Sequence, residues 1–231
     1  MIGSVFLILL LLQDADAYFR NREDRAELQK AIESYEQILN VDAQNVEAAF
    51  KLARAYWFKG THSPKKERKS CFQSGIVAAK KAIAIAPDRC EGYFWLGLNQ
   101  ALLAENSGNW TALGLINPVK ENMKKALGID KNCVCAGPQR VLGKLYAEIP
   151  WFKGGSKSKA EKYLKESIEI CPEDTQSRLF LAQIYLTQKK PELAEEQLEL
   201  ILQLKGLPDW IPETKENKIE AKKLLNSPQR R

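Results

Sequence analysis

One histidine, five cysteines and five tryptophans carry the most specific chemistry available to this 231-residue chain. His62 is the sole histidine, and no nucleophile motif or glycine-rich phosphate loop accompanies it. The chain reads as a non-enzyme that needs no cofactor and no metal. Cys133-x-Cys135 is the one closely spaced thiol pair. A structural zinc would need a second such pair or nearby histidines, and His62 is far away in sequence. Cys90, Cys133, Cys135 and Cys171 fall at or near predicted loops, where one or two disulfides are expected if the chain is exported. An odd count leaves at least one cysteine unpaired or intermolecular. Cys71 lies inside a helical pattern and reads as a small buried thiol.

Binding chemistry remains. Aromatic, apolar and basic residues recur at fixed helical offsets: Phe50, Arg54, Trp57 and Phe58, then Phe94 and Leu98, then Arg140 and Lys144. These eight are the candidate groove residues. A second set sits in irregular stretches: Lys65 and Lys66 in a basic run, Trp110 between apolar residues, and Trp151-Phe152 beside Gly154-Gly155. Trp151 and Phe152 could present a ring to a partner or seal the edge of a core.

The elements that must position these residues are helices. Apolar residues follow helical spacing throughout, no stretch sustains period-two alternation, and no sheet is predicted. An apolar-small-x-x-aromatic unit appears as Leu52-Ala53-x-x-Tyr56, Leu142-Gly143-x-x-Tyr146 and Leu181-Ala182-x-x-Tyr185, with Leu96-Gly97 followed by Gln100 as a departing copy. Helices with a second pattern alternate with these, as in Ala31/Tyr35/Ile38, Ala160/Leu164/Ser167 and Ala194/Leu198/Ile201. Over residues 24–205 the pattern resembles the tetratricopeptide repeat (TPR). The resemblance implies an all-α fold, a right-handed superhelical solenoid of antiparallel helix pairs. The physics agrees: the small residues let two helix backbones approach, and no pair can bury its apolar stripe alone.

In a standard TPR the small residue of the second helix lies nine positions after the aromatic of the first. Here the gaps are 19 (Tyr56 to Gly75), 19 (Gln100 to Val119), 14 (Tyr146 to Ala160) and 9 (Tyr185 to Ala194). The extra length therefore falls at the turn within a pair, and insertions on one face often mark a working face. Helices are predicted near 67–86 and 117–130, leaving Thr61–Ser70 as a basic insertion and Asn106–Pro118 as one expected to fold down as a cover.

Three segments follow from these signals. Residues 1–17 read as a signal peptide: Val5 to Leu12 is apolar and too short to span a bilayer, and Ala15-Asp16-Ala17 offers small residues before a cut at Tyr18. The other reading is an N-terminal extension packed on the first helix. Residues 18–205 form the repeat domain, and 206–231 a capping helix with a basic tail. The location expected is periplasmic or secreted, with cytoplasmic as the alternative. The net charge of +6 is interleaved with Glu along helix faces, so nucleic-acid binding is not expected.

Gly137-Pro138-x-Arg140-x-Leu142-Gly143-x-x-Tyr146, then Pro150-x-x-x-Gly154-Gly155 and Ala160, is similar to the T-component (TatT-like) proteins of tripartite ATP-independent periplasmic transporters. The resemblance implies an exported scaffold associated with a periplasmic solute-binding protein, with a hollow for a hydrophobic or organic-acid ligand. Three functions are open: a scaffold that binds a protein partner, a small-molecule carrier, and a purely structural assembly factor.

Overall fold

The computed structural model describes residues 2–227; Met1, the end of the basic tail (228–231) and the side chains of residues 2–6 and Trp110 lie outside the described residues. The chain is helical, with no strand among the described residues, and divides into two units, residues 1–130 and 131–231.

The first unit holds α1 (Ile2–Arg20), α2 (Arg25–Val41), α3 (Val46–His62), α4 (Lys65–Ile85), α5 (Cys90–Glu105) and α6 (Asn109–Ile129). They pack as the pairs α1/α2, α3/α4 and α5/α6, with α4 also against α5. Side-chain oxygens start two of them. Asp24 accepts from the Ala26 amide at 2.7 Å and Asn45 from the Ala48 amide at 3.0 Å, satisfying donors a helix leaves free. On α2 the buried residues Leu28, Ala31, Ile32, Tyr35, Ile38 and Leu39 keep the three-and-four spacing of an amphipathic helix.

The inserted residues do not project as loops. They lengthen helices: α3 runs on to His62, α4 begins at Lys65, and α6 begins at Asn109 rather than near 117. Pro118 lies inside α6. The carbonyl its ring crowds, four residues back, belongs to Gly114, around which space is open. Lys65 and Lys66 are therefore exposed residues of a helical first turn.

The second unit holds α7 (Gly137–Glu148), a 3-10 turn (Trp151–Lys153), α8 (Lys157–Ile170), α9 (Thr175–Thr187), α10 (Pro191–Gln203), a second 3-10 turn (Pro208–Trp210) and α11 (Ile211–Leu225). Here α7/α8 and α9/α10 pair, and α11 packs against α9 and α10. Val134, Cys135 and Ala136 take successive left-handed conformations just before α7. Cys135 is fixed there by a disulfide to Cys171, with Cα atoms 5.5 Å apart. Cys71 is a free thiol buried in α4.

The small-residue logic is visible where α7 meets α8. A Cβ on Gly143 would lie 2.6 Å from Leu164 Cγ and 3.2 Å from the Ala160 carbonyl oxygen. Ala160 and Leu164 are fully buried. Ala160→Leu is expected to overpack this contact and cost about 1–3 kcal/mol in a denaturation experiment. An unchanged midpoint would mean the two helices do not meet here.

Candidate interaction surface

In the first unit, α1, α3 and α5 are the first helices of the three pairs, and they bring most of the predicted groove residues together. α1 takes part as a repeat helix. Its Ala15-x-x-Tyr18 repeats the small-x-x-aromatic spacing of Ala53-x-x-Tyr56. Ala15 is fully buried and Phe19 nearly so. That spacing was the available signal, and it was masked because Ala15 and Ala17 also fit a cleavage site.

Phe19 is central to an aromatic and cationic cluster. Its ring meets Phe58 edge-on at 6.4 Å, and the guanidinium carbons of Arg22 and Arg54 each lie 4.7 Å from its centroid. Such contacts hold a cation over the negative face of a ring. Trp57 continues the cluster toward α5, 5.6 Å from Trp95. His62 is explained structurally: it stacks on Phe58 at 3.9 Å, with Nδ1 2.8 Å from the Phe58 carbonyl oxygen at the end of α3.

Beside the cluster runs a ladder of charges. Lys51 Nζ pairs with Asp16 at 2.7 Å and Glu47 at 3.6 Å, and Arg89 Nη2 reaches Glu47 at 3.4 Å and Glu91 at 2.5 Å. Arg89 also sits 5.4 Å from the Phe50 ring. Burial works to raise the Glu91 carboxyl, but hydrogen bonds from Arg89 and the backbone outweigh it and hold the group below the usual range. Asp16 further accepts from the Tyr35 hydroxyl at 2.7 Å. Burial first, then the charge and hydrogen bond of Asp16, push that phenol well above its ordinary value. The ladder thus ties α1, α3 and α5 in fixed register.

The predicted residues separate by exposure. Phe50, Arg54, Trp57 and Leu98 are half-buried and border the face. Phe58 and Phe94 are core residues, at 2% and 0% exposure, so they support the face from below. In the second unit Arg140 is buried, with its Nη1 2.7 Å from Asp174 and its guanidinium 5.8 Å from the Trp210 ring. The 3-10 turn ahead of α11 thus covers the position that sequence spacing left open. Lys144 lies 5.4 Å from the Phe180 ring and 3.7 Å from Glu148. Trp151 and Phe152 are exposed, at 83% and 66%. Neither ring is packed into the edge of the core.

Half-buried aromatic and aliphatic side chains with a fixed row of charges on one side can take an amphipathic segment of a partner. Among the described residues no cluster of His, Cys, Asp or Glu could hold a metal ion, and no helix is long and apolar enough to cross a membrane.

Stacked antiparallel pairs with a small residue at each close approach define a TPR-type helical-repeat scaffold. Solved structures share the fold. A thermophilic TPR protein from Thermus thermophilus is 19% identical, with a TM-score of 0.70 over 92% of this chain and 98% of that one. PilW, a widely conserved type IV pilus biogenesis factor, is 18% identical, with a TM-score of 0.62 over 97% and 96%. Pseudomonas aeruginosa pilF is 15% identical, with a TM-score of 0.57 over 94% and 95%. Within this class the chain belongs to the regulator of microtubule dynamics protein 1-3 family, whose model matches residues 11–136. No curated protein matches the chain.

Proposed function

We propose that the chain is an interaction scaffold in the regulation of microtubule dynamics, and that it binds a protein partner through the α1/α3/α5 face. The observation that carries this reading is the half-buried set Phe50, Arg54, Trp57 and Leu98 beside the Asp16–Lys51–Glu47–Arg89–Glu91 ladder. All of these residues fall within the family match. Rigid aromatics supply binding energy at low entropic cost, and fixed charges set the orientation of the bound segment.

The test is co-sedimentation of the full chain with microtubules assembled from purified tubulin, alone and with cell extract. Phe50→Ala with Trp57→Ala is expected to weaken pelleting at least about tenfold, the effect of losing one good aromatic anchor. Helical content should be unchanged, since neither side chain is a core residue. Full-strength pelleting of the double variant would remove this face from the proposal.

A second reading is export, with residues 1–17 removed and the chain acting as a periplasmic or secreted scaffold or ligand carrier. The Cys135–Cys171 disulfide favours it, because such bonds persist in oxidising compartments. The transporter T-component placement belongs with this reading; the resemblance covers about residues 90–205 and its motif lies in Gly137–Ala160. The amino terminus of the protein from its native source separates the two: a start at Tyr18 supports export, and retained residues 1–17 support the first reading.

A further inference from the structure

The turn between α7 and α8 is built to hold two rings out of the protein. Trp151 and Phe152 stand edge to face, centroids 5.9 Å apart and planes at 87°. The backbone beneath them is closed on itself. The Lys153 and Gly155 amides donate to the Pro150 carbonyl at 2.9 and 3.0 Å, Gly154 donates to Trp151 at 3.0 Å, and Ser156 donates to Tyr146 at 2.8 Å. Gly154 takes φ 92°. A Cβ at Gly155 would collide with the Ile149 carbonyl, so the glycines are required by the turn itself.

Exposing two large rings on a hydrogen-bonded turn has no benefit for folding. Within the turn and the start of α8 the charge is one-sided, with Glu148 and Glu161 flanking the segment and paired to Lys144 and Lys165. Between Pro150 and Ala160 the chain carries Lys153, Lys157 and Lys159 and no carboxylate. All three lysines are exposed. Their partners are weak ones: Lys157 Nζ lies 3.4 Å from the Thr187 carbonyl, and Lys159 Nζ 5.5 Å from the Tyr146 ring. A convex tip cannot enclose a ligand, but it can enter a deformable surface. Tryptophan settles at the headgroup level of a bilayer, phenylalanine buries at the boundary with the acyl chains, and flanking lysines meet anionic lipid.

We propose that the Trp151–Phe152 tip docks the second unit on an anionic membrane surface, with Lys153, Lys157 and Lys159 at its base facing the headgroups. This is independent of the partner face on the first unit, and either can fail without the other.

The test is flotation of the full chain with phosphatidylcholine vesicles, with and without phosphatidylserine. Wild type is expected to float with the mixed vesicles and to bind pure phosphatidylcholine at least about tenfold less well, given the contribution of each lysine near a charged surface. Trp151→Ser with Phe152→Ser should lose at least about tenfold of the binding with an unchanged circular dichroism spectrum. Lys153→Glu with Lys157→Glu should abolish the preference for phosphatidylserine. Equal flotation of the aromatic double variant and wild type would overturn the proposal, and would point to another apolar element such as α1. So would failure of the wild type to float with either vesicle, which is the outcome expected if the tip enters a protein pocket instead.

Discussion

Asp174→Ala is expected to destabilise the second unit by about 3–5 kcal/mol, the loss typical of stranding one member of a buried ion pair. Asp174 and Arg140 are both nearly buried, with side chains 9% and 10% exposed, so little solvent screening reduces the effect. The carboxylate also starts α9. It accepts from the Gln176 and Ser177 amides at 3.2 Å each, and from the Ser177 hydroxyl, which touches Ser167 on α8 at 2.8 Å. Alanine would therefore remove a helix cap, take away the carboxylate that orients the Ser177 hydroxyl toward α8, and leave the buried Arg140 guanidinium without its ion-pair partner. Chemical denaturation of wild type and variant measures the change. Arg140→Met combined with Asp174→Leu should lose distinctly less, because no unpaired charge stays buried. Equal losses in the single and double variants would show that the cap, and not the pair, carries the stability.

Removal of residues 1–17 is expected to cost the first unit about 3–5 kcal/mol, from lost apolar burial and from polar groups left without partners. Ala15 would vanish from the core, and the covers of Tyr35 and Lys51 would go with Asp16. What remains of α1, Tyr18 to Arg20, is under one helical turn and cannot hold Phe19 against Phe58. The ring cluster that Arg22 and Arg54 cover would open to water. Denaturation of the full chain and of a chain starting at Tyr18 checks this. Matching stabilities would show that α1 only rests on the unit.

The repeat was legible because it is local. Small-x-x-aromatic spacing and a small residue opening each second helix are properties of one helix pair, and they located α2–α5 and α7–α10 to within three residues. Two features escaped for physical reasons. The residues added between Tyr56 and Gly75, and between Gln100 and Val119, were read as loops, because basic and proline-containing stretches weaken a helical pattern. Packing of the paired helix extended both into α4 and α6. The burial of Phe94 and Arg140 depends on covers brought from elsewhere in each unit, the helices packed on α5 and the turn at Trp210. Offsets along one helix carry no information on such covers. Phe50, Trp57 and Leu98 stay half-buried, since none of the described residues of their unit closes over them completely.

On the proposed function, the first unit of this scaffold engages its partner on the α1/α3/α5 face. Hydrogen exchange of the full chain, measured with and without assembled microtubules, is the decisive experiment. Exchange is expected to slow in segments 46–62 and 90–105, with α2 and α4 unaffected. Protection confined to α2, α4 or the second unit, or no protection anywhere, would contradict it.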